Sequence, residues 1–79
     1  MPTAFLLINV EMGSEDEVLG ALTRIDAVKE ANTVFGVYDI VAKIKANTVD
    51  RLKEIITWEI RRLDKVRSTT TMIVSEKKA

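Results

Sequence analysis

From Ala4 to Val10 the chain reads Ala-Phe-Leu-Leu-Ile-Asn-Val, apolar at six of seven places with no breaker. A half-exposed strand alternates apolar with polar residues; one that does not alternate is buried on both faces. Phe5 and Leu7 point one way, and Leu6, Ile8 and Val10 the other. Any fold the chain adopts has to cover both sides of this strand. With 79 residues the sequence has room for one domain, 1–79. A domain of that size buries roughly 60% of the surface its unfolded chain exposes, so its core is marginal. Disulfides, metals or association usually supplement such a core. The sequence has neither Cys nor His, which removes disulfides and the two soft metal ligands together. Association is the supplement left.

The rest of the chain supplies partners for that strand. Met12-Gly13 turns it, and Ser14-Glu15-Asp16-Glu17 matches a capping box. The three acids there complement the positive end of a helix dipole. Val18, Leu19, Leu22 and Ile25 follow at helical spacing. Val28 to Phe35 alternates loosely as a second strand, Gly36-Val37 breaks it, and Tyr38 to Ala46 forms a third. In the third strand Ile40, Ala42 and Ile44 share one face, and Asp39, Val41, Lys43 and Lys45 the other. So short a link predicts an antiparallel hairpin. Asn47 or Thr48 caps a second helix with the stripe Val49, Leu52, Ile55, Ile56, Ile60 and Leu63. Asp64-Lys65 ends that helix, and Val66 to Val74 is a fourth strand rich in Thr and other β-branched residues. The tail from Ser75 to Ala79 is polar and expected to fray.

The order β-α-β-β-α-β is that of a ferredoxin-like α+β fold, a four-stranded antiparallel sheet with two helices on one face. Helices then cover one side of the first strand only. The other side would be an exposed apolar patch, which soluble monomers rarely keep. A second copy of the same sheet is the economical cover, in an isologous pairing.

Composition narrows the function classes. Apolar residues make up 47% and charged residues 30% of the chain, as in a folded soluble protein. The 12 basic and 12 acidic side chains cancel, whereas direct binding to nucleic acid normally shows a basic excess. The N-terminal apolar run is too short for a membrane span and has no basic region before it, so the expected location is the cytoplasm. The absence of Gln and Cys beside plentiful Lys, Arg and Glu is a pattern of heat-adapted proteins, although so short a chain reaches it equally well by chance.

Catalysis has little to work with. No Cys nucleophile exists, a Ser or Thr nucleophile lacks a His base, and three scattered glycines make no phosphate loop. No catalytic residue, metal ligand or cofactor is expected. Two segments offer binding chemistry. In Phe35-Gly36-Val37-Tyr38-Asp39 the glycine either supplies an unusual φ for a turn or lets a ligand approach the backbone, and Asp39 either begins a strand or accepts from an ammonium group. In Ser68-Thr69-Thr70-Thr71, Thr69 and Thr71 share a face, as a polar strand edge or as two hydroxyls for a ligand. Trp58 lies off the main stripe, packing at the edge of the core or making an oligomer contact. Gly20 within the first helix either permits close packing or is tolerated at a cost of about 1 kcal/mol.

The hairpin Val34-Phe35-Gly36-Val37-Tyr38-Asp39 resembles the V-x-G-x-Y/F-D pattern of the RAM effector domain in Lrp/AsnC-type transcription regulators. Val66, Thr69, Thr71, Ile73 and Val74 are similar to that family's final strand, V-x-x-T-x-T-x-I-V. The resemblance runs from residue 3 to about 75. It implies a sheet-to-sheet dimer, dimers joined into a ring such as an octamer or decamer, and an amino-acid effector bound where dimers meet. Carried over by position, it implicates Gly36, Val37, Tyr38 and Asp39, with Thr69 and Thr71 as companions. The backbone around Gly36 would hold the effector's carboxylate and Asp39 its ammonium group. Regulators of this family begin with a winged helix-turn-helix domain, while this chain starts on the first effector strand and resembles a stand-alone module. Such a module would store or sense an amino acid, or co-assemble with a full-length regulator, without binding DNA itself. The alternatives are a small cofactor-free dimeric ferredoxin-like enzyme, of monooxygenase or isomerase type, and a purely structural assembly subunit.

Overall fold

The computed structural model describes residues 1–75. The tail predicted to fray lies, from Glu76 onward, outside the described residues. Strand β1 (Thr3–Val10) is followed by α1 (Glu15–Thr23), β2 (Val28–Thr33), β3 (Ile40–Lys45), α2 (Val49–Ile55) and β4 (Val66–Ile73). The strands form one antiparallel sheet in the order β2-β3-β1-β4. This is the ferredoxin-like α+β arrangement anticipated from the element order.

The expected split of β1 is present. Ala4, Leu6, Ile8 and Val10 are buried, and the residues between them are half-buried. Strand β3 alternates in the same way, burying Ile40, Ala42 and Ile44. These side chains meet Val18 and Leu22 of α1, and Leu52, Ile55, Ile56 and Ile60 from α2 and the turn that continues it. All seven fully buried large side chains are Leu or Ile, so the core is held by apolar burial at roughly 1.5–3 kcal/mol for each such residue.

The opposite sheet face carries Phe5 between Lys43 and Met72, and Leu7 between Val41 and Thr70. The molecule measures 37 × 26 × 17 Å. A thickness of 17 Å accommodates one sheet and one helix layer, since packed layers lie about 10 Å apart. Among the described residues no helix covers Phe5, Leu7, Val41 and Met72; the first three are half-buried and Met72 is exposed.

Four local expectations need correction. The link between β2 and β3 is residues 34–39, longer than Gly36-Val37, because both strands stop short of it. Ser14 precedes α1 but its hydroxyl makes no capping bond; at ψ 10° the backbone is not in the extended conformation that aims an N-cap side chain at the helix. Thr48 is extended at ψ 159°, and its Oγ1 accepts from the Arg51 N–H at 3.0 Å. The second helix does not run on as α: Ile56–Ile60 widens into a π turn, closed by the Arg61 N–H donating to the Ile56 carbonyl at 2.8 Å. Finally, Trp58 is 64% exposed, so it is no edge of the core. The π turn leaves it on the outside, with the Arg62 guanidinium 5.9 Å from the centre of its ring.

Candidate functional site

The 34–39 loop is organised by Asp39. Its carbonyl accepts from the Val34 N–H at 2.9 Å, which closes the loop. Its own N–H donates to the Ile8 carbonyl at 3.0 Å, and its Oδ2 accepts from the Val10 N–H at 2.9 Å. The loop is thereby tied to the C-terminal end of β1. Among the described residues the second carboxylate oxygen has no hydrogen-bond partner, and it is not sealed from solvent. Asp39 is thus both a structural acceptor and a negative group with one oxygen to offer.

Gly36 sits at φ +150°, a region that L side chains rarely adopt. A Cβ built there would meet nothing within 4 Å, so the glycine serves the backbone conformation and not close contact within the chain. Phe35 and Val37 on either side are exposed. Tyr38 is half-buried and folds across the open sheet face, its hydroxyl 3.3 Å from Thr70 Oγ1.

Two clefts flank the loop and share Asp39. One, of about 400 Å³, is lined by Asn9, Val10, Val37, Asp39, Arg67 and Ser68. The other, of about 420 Å³, lies between the loop and the start of α1, with Glu15, Asp16, Thr33, Val34 and Phe35. Of the residues singled out in the sequence, Val37 and Asp39 line the first cleft, and Gly36 and Tyr38 shape the loop beside it. Thr69 and Thr71 are elsewhere. They pair with Ile8 and Leu6 and so share the helix-side face of the sheet, whereas Thr70 between them faces Tyr38. Within one chain the six do not converge.

Asn9 and Arg67 were not anticipated, and Ser68 was named only as the first residue of the Ser68-Thr69-Thr70-Thr71 segment. Asn9 is the one polar residue between Ala4 and Val10, which was a usable signal. Arg67 was not legible, because its place depends on a register shift: Asn9 pairs with Ser68 but Val10 pairs with Val66, leaving Arg67 as the extra residue of a bulge. No group of three or more His, Cys, Asp or Glu able to hold a metal ion is present among the described residues. Among the described residues no helix is long and apolar enough to cross a membrane.

The family model of the Lrp/AsnC ligand binding domain matches residues 3–78. The chain belongs to the Lrp/AsnC family. This Lrp/AsnC domain is 31% identical over 74 residues to PH1916, an uncharacterised HTH-type transcriptional regulator of Pyrococcus horikoshii, a match covering 90% of this chain and 49% of that protein. The domain spans about half the length, or less, of the curated relatives it matches. Among solved structures, FFRP-DM1 shares 39% identity at a TM-score of 0.92, over 95% of this chain and 100% of that one. AsnC of Escherichia coli shares 26% identity at a TM-score of 0.90, over 99% of this chain and 53% of that one. The Lrp/AsnC domain is therefore of the type that carries ligand binding in a family of transcription regulators.

Proposed function

We propose that the domain is a non-catalytic regulatory module that binds an amino acid at the 34–39 loop and self-assembles through its open sheet face. Gly36, Val37, Tyr38 and Asp39 form the binding loop. Thr69 and Thr71, on the other side of the sheet edge, contribute from a neighbouring copy where dimers meet in a ring of eight or ten subunits. The observation that carries this reading is Asp39, whose carboxylate is held by the Val10 N–H at 2.9 Å while its other oxygen is open. A fixed carboxylate with spare acceptor capacity at the edge of a cleft suits an ammonium group.

Regulation follows from the assembly. A ligand seated between copies stabilises one arrangement of them by its differential affinity. Mixed assembly with a full-length Lrp/AsnC regulator would pass that bias to a DNA-binding partner, and this domain, with zero net charge, need not touch nucleic acid itself. The relatives are named as regulators, which favours this role, in the cytoplasm, over an enzyme. Thermal unfolding against the twenty amino acids tests the binding. At a hundredfold excess over Kd a ligand adds about 2.7 kcal/mol, which raises the Tm of a domain this size by roughly 10 °C or more. One or a few amino acids are expected to do so; a flat response to all twenty rejects the reading.

A further inference from the structure

We infer that Arg67 is the carboxylate anchor for a small polar α-amino acid in the cleft between β1, β4 and the 34–39 loop. The inference rests on the reading of the domain as an amino-acid-binding module, and it assigns the carboxylate to a side chain in place of the loop backbone around Gly36. At about 400 Å³ the cleft is within the usual range of small-molecule sites, roughly 300–1,000 Å³. Its lining holds one cation, Arg67, and one anion, Asp39; the other residues are neutral. One charge of each sign is the complement of a zwitterion.

The bulge gives Arg67 its position. Where Val66 and Ser68 pair with Val10 and Asn9, Arg67 is left over, and an extra residue of this kind bends its strand and re-aims its side chain. Among the described residues its guanidinium makes no ion pair and no side-chain hydrogen bond. Its planar fork remains open to a carboxylate, which it can bind through two parallel N–H bonds. Asp39 offers its open oxygen to the ammonium group. Asn9 Nδ2 reaches Ser68 Oγ only at 3.5 Å, at the limit of a hydrogen bond, so both groups are free to turn toward a polar side chain. Among the described residues Val10 and Val37 are the only apolar ones in the lining, too little to reward a large aliphatic or aromatic side chain.

Calorimetric titration of the intact protein with L-serine, L-threonine and L-asparagine, with L-serinamide and L-threoninamide, and with L-leucine and L-phenylalanine tests this. The acids are expected to bind roughly 10–100-fold more tightly than the carboxamides, the size of one charge-assisted contact. In Arg67→Ala that preference shrinks to about threefold or less, and Arg67→Lys, which keeps the charge but loses the fork, falls between. If Arg67→Ala keeps the wild-type ratio of acid to amide, the carboxylate is held elsewhere and the inference fails while amino-acid binding stands. Tighter binding of L-leucine or L-phenylalanine than of the three polar amino acids overturns the ligand class. Absence of binding by all five amino acids and both amides removes the anchor; a flat thermal response to all twenty amino acids removes the proposed function as well.

Discussion

Asp39 has two jobs that substitution can separate. Its Oδ2 satisfies the Val10 N–H, and a part-buried N–H left without an acceptor costs about 1–3 kcal/mol. Asp39→Ala is therefore expected to lower the unfolding free energy by that amount, read from the urea midpoint. Asp39→Asn keeps a carbonyl oxygen in place and is expected to stay within about 1 kcal/mol of wild type, yet to lose amino-acid affinity because the negative charge is gone. Equal destabilisation by both variants would contradict the division. Part of this was legible in the sequence. Gly36, separated by Val37 from a Tyr-Asp pair, offered an unusual turn as one of its two readings, and φ +150° agrees with that one. That Asp39 would bond to Val10, 29 residues earlier, was not, since a local pattern carries no information about which strand end a loop meets. Arg67 was hidden for the same reason: alternation along β4 predicts its direction wrongly once a bulge intervenes.

At the scale of elements, the two helix starts make a paired test. Both have a hydroxyl residue before the first turn, but only the Thr48 side chain caps. Thr48→Ala is expected to cost about 1 kcal/mol, and Ser14→Ala less than about 0.5 kcal/mol, both from denaturant midpoints; the reverse order would mean the Ser14 conformation is misjudged. Gly20, inside α1, meets nothing within 4 Å where a Cβ would stand. Close packing therefore does not require it, and Gly20→Ala is expected to stabilise by about 0.4–1 kcal/mol. A loss of stability there would show that something packs against it in the assembly. The faces of β1 and β3 were read well because the two strands pair without a register shift and the period of two holds along both. The π turn was not, because Ile60 lies four residues after Ile56 and five after Ile55, so the same stripe suits an α or a wider helix. With the turn missed, Trp58 was given a possible place at the core that it does not have.

At the scale of the whole molecule, everything turns on the face of the sheet that no helix covers. Neighbouring leucines report its two sides independently. Leu6 is fully buried against the helices, while Leu7 lies on the open face beside Val41 and Thr70. The need for a cover was legible from the unbroken apolar run in β1, but the register that sets Phe5 beside Met72 required the folded sheet. Leu7→Glu puts a charge into that face without touching the core, so it should break the association and leave secondary structure intact. Sedimentation velocity across a dilution series is the most direct measurement. The account predicts a wild-type species of dimer mass or larger, and a lighter one for Leu7→Glu. A wild-type chain that sediments as a folded monomer at every concentration contradicts it.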